Sequence, residues 1–466
     1  MPEIIWDSND AEQATGGSST KNWQASGVCI DSRKIQKGDL FIAIIGENQD
    51  GHKYVASALE KGAAAAIVNF VPEDVAQDAP LLVVEDTTEA LWDLAKFSRE
   101  RMKAKVIAVT GSVGKTSTKE MLAAALSGQG RVYYTEGNLN NHYGLPLSMS
   151  RVVKDTNYCV FELGMNHPGE ISPLSVLAQP DVAIITTVEA VHLQYFESVE
   201  QIADAKAEIF DGVKTGGAVI LNRDNPHFEK LKALAASKGI ERKFCFGRAQ
   251  KSDFKLLEYK DSLEGGEVKV VCKDRELTYK IGIAGEHQAL NSLAVLAAID
   301  SVGGDIKKAA KQFENFSAKD GRGKRYHLNG ITIIDDCYNA SPASVSAALK
   351  VLGGVKKHCG GRAVAILGDM FELGDDASQM HAALQKKLVD NDIDVLFAAG
   401  TIIKSLYDSC AESMRGGFES SSQVLAPVAF ANLKEGDIVL IKGSRGMKME
   451  NVLNHILQEG QKKNAV

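Results

Sequence analysis

The stretch Val106-Ile107-Ala108-Val109-Thr110-Gly111-Ser112-Val113-Gly114-Lys115-Thr116-Ser117 constrains this chain more than any other. An apolar, largely β-branched run stops at a short glycine loop. A helical pattern follows, with Met121, Leu122, Ala125 and Leu126 on one face. A strand feeding a glycine loop and then a helix presents free backbone N–H groups and the positive end of a helix dipole to an anion. Lys115 adds a full charge, and Thr116 supplies a hydroxyl suited to Mg²⁺. A tight turn with a surface lysine would use the same residue types, but the order strand, loop, lysine-hydroxyl, helix favours a nucleotide-phosphate site. The general motif places four residues between its first glycine and the Gly-Lys pair. Here Gly111 and Gly114 enclose two, and Val109 holds the usual first-glycine position. The loop alone does not separate kinase, GTPase, motor and ligase.

Composition narrows the class. At 466 residues the chain predicts two to four domains rather than one core. Hydrophobic content of 44% and charged content of 24% describe an ordinary globular protein. A net charge of -7 argues against nucleic acid as the main partner. The seven cysteines are odd in number and lack a C-x-x-C pair, and several fall in apolar runs such as Tyr158-Cys159-Val160. They read as buried thiols of a reducing, cytoplasmic compartment. The start of the chain has no basic and apolar leader pattern, and no apolar run reaches the ~18 residues of a membrane span.

Periodicity divides the chain into three α/β segments. Residues 1–103 carry short apolar runs (Leu40 to Ile45, Ala63 to Val68, Leu81 to Val84) around a helix at Tyr54–Gly62. Residues 104–317 alternate strands, including Tyr158 to Leu163, Asp181 to Val188 and Gly217 to Leu221, with helices. That alternation predicts a P-loop-type, mostly parallel sheet. Phe254 to Ile283 reads as an antiparallel extension. Residues 318–466 form a third alternating, Rossmann-like segment, with strands at Ile331 to Ile334, Ala363 to Leu367, Val395 to Ala398 and Asp437 to Ile441. The polar, glycine-rich Ser317 to Arg325 reads as the linker, with a hinge near Gly321 and Gly323.

Ligands of open α/β sheets gather beyond the C-terminal strand ends. One neighbouring strand ends in Glu162, and another is followed by Glu189 and His192. A carboxylate and an imidazole facing a phosphate loop suit a divalent cation. Alone, His192 reads as a surface histidine; together with Glu162 and the loop it reads as a metal ligand. In the following helix Lys206 falls within the apolar stripe of Ile202, Ala205, Ile209 and Phe210. A desolvated lysine loses its charge readily and can take up CO₂ as a carbamate. A lysine snorkelling to the helix edge fits the residues equally well. The loop Gly137-Asn138-Leu139-Asn140-Asn141 is dense in amides suited to a polar or anionic ligand. Asp335-Asp336-Cys337-Tyr338-Asn339 and Gly368-Asp369-Met370 follow strands of the third segment, where binding residues collect.

These motifs together resemble the Mur ligase family of peptidoglycan synthesis over essentially the whole chain. The shortened Thr110-Gly111-Ser112-Val113-Gly114-Lys115-Thr116 loop carries the resemblance. So do Glu162-Leu163-Gly164-Met165-Asn166, the Ala205-Lys206-Ala207-Glu208-Ile209 stretch after His192, Asp336-Cys337-Tyr338-Asn339-Ala340 and Leu367-Gly368-Asp369-Met370. The asparagine loop and the Gly-Asp-Met stretch favour the branch that joins D-alanyl-D-alanine to UDP-N-acetylmuramoyl-tripeptide. The resemblance implies ATP phosphates on Gly111, Ser112, Val113, Gly114, Lys115, Thr116 and Ser117. It implies one Mg²⁺ on Thr116 and Glu162, and a second served by His192 and a carbamylated Lys206. Asn291 would lie on the adenine side, and Arg322, Asp336 and Asn339 would close on ATP from the third domain. Ser32, Arg33, Asp50, Gly51 and His52 would receive the UDP-sugar, with Asn138, Asn140 and Asn141 also on the substrate. The protein would act as a monomer. Ser341 stands where the family pattern has asparagine, a change expected to touch turn chemistry more than catalysis.

The implied reaction activates the tripeptide carboxylate as an acyl phosphate, which the dipeptide amine then attacks. Two anions meet at the first stage, so charge neutralisation should dominate. Two rivals stand beside this reading: a sister amide ligase such as folylpolyglutamate synthetase, and a nucleotide-switch binding protein.

Overall fold

The computed structural model describes residues 3–46, 48–262 and 265–464. Its apolar runs assemble into three main sheets and a two-stranded pair. The first sheet runs, edge to edge, Ser18–Ser19, Leu81–Val83, Ala65–Val68, Asp39–Ile42 and Gly27–Cys29. Its pairs are parallel apart from the Ser18–Ser19 edge. Successive side chains alternate between two faces, and both faces are buried. Leu40 and Ile42 pack on Leu91 and Leu94 of helix Thr87–Arg101, while Phe41 packs on Val55 and Ala58.

The second sheet has nine strands, with the phosphate-loop strand Lys105–Thr110 between Val182–Ile185 and Tyr158–Glu162. Both pairings are parallel, and their register sets Glu162 beside Val109 and Ile185 beside Thr110. All three strands therefore end along one edge. Val106 and Ala108 face one core; Ile107 and Val109 face the other, under helices Lys115–Ser127 and Glu286–Ser301. The expected antiparallel extension is present: Phe254–Ser262, Gly265–Cys272 and Arg275–Ile281 zip together at the far edge.

The third sheet orders Lys324–Leu328, Ile331–Asp336, Ile438–Lys442, Ala363–Gly368, Val395–Ala399 and Arg415–Glu419, antiparallel only at its first pair. Two of these strands escape the sequence reading. Arg415–Glu419 is interrupted by Gly416 and Gly417, which make room for Phe397; a Cβ at Gly416 would stand 2.7 Å from the Phe397 ring. The expected linker reaches only to Gly323, because Lys324 and Arg325 already pair with Asp335 and Ile334. The glycine hinge is corrected too. Gly321 N–H donates to Asp335 Oδ2 at 2.7 Å, and Gly323 N–H to the Asp335 carbonyl at 2.7 Å. Both glycines adopt positive φ in a turn fastened to the third sheet.

Helix Gly144–Ser150 joins the first two units: Leu147 enters the front core, whereas Leu145 and Met149 enter the central one. Buried Trp6 donates its indole N–H to the Ser150 carbonyl at 2.8 Å, with the Arg101 guanidinium 4.3 Å over its ring. Replacing Trp6 with Ala should cost roughly 3–5 kcal/mol, as for other buried aromatics. A thermal melt is expected to lose several degrees, and an unchanged melting temperature contradicts this junction.

Candidate active site

The phosphate loop is shaped by close approach. Gly111 has φ +148°, and a Cβ there would stand 1.9 Å from Thr186 Oγ1, which itself donates to the Val113 carbonyl at 2.6 Å. Gly114, at φ +85°, precedes helix Lys115–Ser127 without a side-chain cap, leaving first-turn N–H groups for a ligand. A Cβ at Gly114 would meet the Asn291 amide at 3.1 Å, so the loop and Asn291 are in contact. Lys115 Nζ bends back to donate to the Gly111 carbonyl at 2.7 Å. Burial lowers its pKa, and Arg322 adds to that lowering against Glu162.

A cavity of about 820 Å³ opens here between the central and third sheets. Ser112, Val113, Gly114, Lys115, Thr116 and Ser117 line it, together with Glu162, His192, Asn291 and the asparagine loop. Glu162 Oε1 accepts from Asn140 Nδ2 at 2.9 Å. Its Oε2 lies 3.5 Å from Lys119 Nζ and accepts no hydrogen bond, although buried. A buried carboxylate oxygen whose one partner is a loose ion pair keeps lone pairs free for a cation. Lys119, fully buried, is absent from the sequence reading; its signal is its position one turn beyond Lys115 on the same helix face. Lys206 is 2% exposed, so it does not snorkel. Burial first, and then Lys115, drive its pKa well below the ordinary lysine value. It lies behind the cavity wall rather than in the lining. His192, at φ +57°, brings Nδ1 to 2.5 Å from Glu372 Oε2 of the third unit, off the ring N–H axis. The imidazole holds Glu372 below the usual carboxylate range. Among the described residues no three His, Cys, Asp or Glu converge as a metal cage. The candidate donors are instead mixed: Thr116, Glu162, His192 and Lys206.

The opposite wall comes from the third unit. Arg322 stacks on Tyr338 at 3.7 Å. Asp336 accepts from Lys442 Nζ at 2.6 Å, and Lys442 also donates to the Asn339 carbonyl at 2.8 Å. Sequence reading missed Lys442, which the strand-end rule could have found, since it closes Ile438–Lys442. Ser341 N-caps helix Pro342–Cys359 in a capping box with Ser344, a turn role as expected. Asp369 does not face the cavity. Its carboxylate accepts from the N–H groups of Thr401, Ile402 and Ile403, which makes Gly-Asp-Met an anchor of the fold.

The front-unit residues lie apart from this cavity. Arg33 forks onto Asp31 at 2.8 and 2.9 Å and pulls that carboxyl to about 2. The Ser32 carbonyl accepts from Lys61. Gly51 sits where a Cβ would stand 2.8 Å from the backbone of Ala43 and Ile44. His52 is buried with both ring nitrogens engaged, Nδ1 with Asp50 at 2.7 Å and Nε2 with the Asn69 N–H at 3.1 Å. It orients this corner rather than reaching out of it. Within the asparagine loop, Asn140 holds Glu162, and Asn141 Oδ1 accepts from Gly144 N–H at 2.9 Å. Asn138 also lines the cavity.

His287, also in the cavity wall, has its pKa lowered to about 4 by burial, reinforced by Lys442 and Lys350. The unfolded chain takes up this proton first, near pH 6.5, so stability falls as pH drops from about 6.5 toward about 4. An NMR titration of His287 should place its midpoint near 4; a midpoint near 6 contradicts its burial among cations.

Three family models match in chain order: the Mur ligase family, catalytic domain over residues 24–99, the Mur ligase middle domain over 109–299, and the Mur ligase, glutamate ligase domain over 321–445. The UDP-N-acetylmuramoyl-tripeptide–D-alanyl-D-alanine ligase of Rickettsia prowazekii is 35% identical, over 97% of this chain and 100% of its own length. A crystal structure of MurF from Acinetobacter baumannii superposes with a TM-score of 0.87 at 30% identity, covering 98% of this chain and 100% of that one. The MurF ligase of Thermotoga maritima in complex with ADP gives a TM-score of 0.78 at 28% identity, covering 94% of this chain and 98% of that one. With its glycine loop, its buried lysines and its three α/β units in this order, the chain belongs to the Mur ligase family.

Proposed function

We propose that this protein joins D-alanyl-D-alanine to UDP-N-acetylmuramoyl-tripeptide with ATP, through an acyl phosphate, as a cytoplasmic monomer. One observation carries the reading: Lys115 and Lys119 both bear on Glu162 beside the phosphate loop, with the buried Lys206 bearing on Lys115, at a cavity walled by two α/β units. Lysines gathered beside the phosphate loop suit the meeting of a carboxylate with a triphosphate. The unit boundaries are proposed at 103/104 and 317/318. The front unit holds the UDP-sugar through Ser32, Arg33, Asp50, Gly51 and His52. The third unit closes on ATP and receives the dipeptide.

Gly111 to Ser117 cradle the phosphates, and Lys115 swings from the Gly111 carbonyl to the transferring phosphoryl group. Asn291, Arg322, Asp336 and Asn339 hold the nucleoside end, with Asn138, Asn140 and Asn141 on the substrate side. Thr116 and Glu162 would hold one Mg²⁺, and His192 with Lys206 a second; such ions neutralise charge on the transferring phosphoryl oxygens. The neutral Lys206 amine adds to CO₂ and loses a proton, turning a buried amine into a carboxylate-like ligand. The tripeptide carboxylate attacks the γ-phosphorus and ADP leaves. The dipeptide amine then attacks the acyl carbon, phosphate departs, and the amine proton goes to solvent. A seated third unit keeps water from the acyl phosphate.

ADP release by the purified protein should require both UDP-tripeptide and D-alanyl-D-alanine; equal turnover with a glutamate acceptor, or nucleotide binding without turnover, overturns the assignment. Lys206→Ala should reduce turnover at least ~100-fold, as for loss of a group acting in the transition state. Formate or acetate should restore part of the rate, and a near-normal rate in the variant removes the carbamate from the mechanism.

A further inference from the structure

Glu208 follows Lys206 by two residues yet faces elsewhere. The charge bearing on Lys206 is that of Lys115, not of Glu208. Glu208 Oε1 accepts from the Gly169 N–H at 2.7 Å, and Oε2 accepts from Ile171 N–H at 3.1 Å and Ser172 N–H at 3.2 Å. These groups open helix Ile171–Ala178, whose N-cap residue, Glu170, makes no side-chain cap. Glu170 instead accepts from Asn166 N–H at 2.7 Å, inside the preceding loop. A carboxylate from another element thus caps the helix and complements its dipole.

The turn Glu208–Gly212 is bolted to that helix along its length. Ser175 Oγ donates to the Ile209 carbonyl at 2.6 Å, and Ser172 Oγ to Asp211 at 2.7 Å. A Cβ at Gly212 would stand 1.9 Å from the Ser175 carbonyl oxygen. The loop held in this way leaves the strand at Glu162, and Gly164, Met165, Asn166 and Glu170 line the cavity. Ile171 and Leu174 pack in the core on the sheet face opposite helices Lys115–Ser127 and Glu286–Ser301. The loop also meets the asparagine loop, where Gly164 N–H donates to the Asn140 carbonyl at 2.8 Å. The helix it enters, Ile171–Ala178, contacts helix Thr87–Arg101 of the front unit, whereas the helix of Asn291 packs on the opposite sheet face.

We infer that Glu208 is a positioning residue for the acyl substrate: it ties loop 164–170 to the segment carrying Lys206, so that the wall receiving the carboxyl end of the UDP-tripeptide and the Lys206 amine keep a fixed spacing. This rests on the ligase reading above. Glu208 touches neither substrate nor metal in this role.

The test uses Glu208→Ala and Glu208→Gln in the full-length protein. Losing three charge-assisted hydrogen bonds should raise KM for UDP-tripeptide about tenfold in the Ala variant. KM for ATP should stay within about twofold, because the phosphate-loop helix and the helix of Asn291, read above as the nucleotide side, pack on the other sheet face. The Gln variant keeps one acceptor oxygen and should fall between. Amide exchange across residues 164–175 should quicken in both. A merely structural role would lower the active fraction, and with it kcat, leaving both KM values in place. An unchanged KM for UDP-tripeptide, or equal rises for both substrates, overturns the inference. If the Ala variant fails to fold, the near-isosteric Gln variant decides through the same KM split. Wild-type protein that does not consume UDP-tripeptide strikes the ligase reading instead, while unchanged exchange at 169–172 in the variants strikes the cap.

Discussion

Buried lysines gather beside Glu162 and the phosphate loop at the C-terminal edge of the central sheet, and much else in the structure answers to their burial. Lys119 lies 3.5 Å from Glu162, Lys115 folds onto its own loop, and Lys206 is buried near Lys115. Cations brought together away from water repel, and burial penalises each one. The fold tolerates them because strands, loop and helices fix them rigidly, and because each has a route to relief: a carbonyl, the glutamate, an incoming anion or loss of the proton. The site is thus preorganised for negative charge before any ligand arrives, which is where electrostatic catalysis draws most of its strength.

Rigidity comes from parallel neighbours. The strand ending in the glycine loop is flanked by the strands ending at Glu162 and Ile185, in a register that leaves no freedom to slide without turning every core side chain to the wrong face. The contact of Gly111 with Thr186 locks the loop to the third of these strands. Across the cavity, Lys442 joins Asp336 and the Asn339 carbonyl, so the facing wall is itself a closed polar network.

The parts legible in the sequence are those where chemistry and periodicity coincide. The glycine loop, Glu162 at a strand end and Lys206 within an apolar stripe all stand where residue order places them. What stayed hidden depends on distant partners. Lys119 reads as one more helix lysine until Glu162 is folded beside it. Asp369 and His52 look like ligand contacts, and only the fold shows their polar atoms already taken by backbone N–H groups and, for His52, by Asp50 as well. Arg415–Glu419 was obscured because its glycines suppress the usual strand signal while accommodating Phe397.

The pinning of Gly321 and Gly323 to Asp335 makes both glycines part of the third unit. The connection to the central unit shortens to Ser317–Asp320, and even there Lys319 reaches Glu120 of the phosphate-loop helix at 2.8 Å. Arg322 is held close to that junction, stacked on Tyr338, while Glu372 reaches back to His192 of the central unit at the cavity wall. Ion pairs thus fasten the third unit to the central one at its junction and again at the cavity wall, and both fastenings weaken as salt rises.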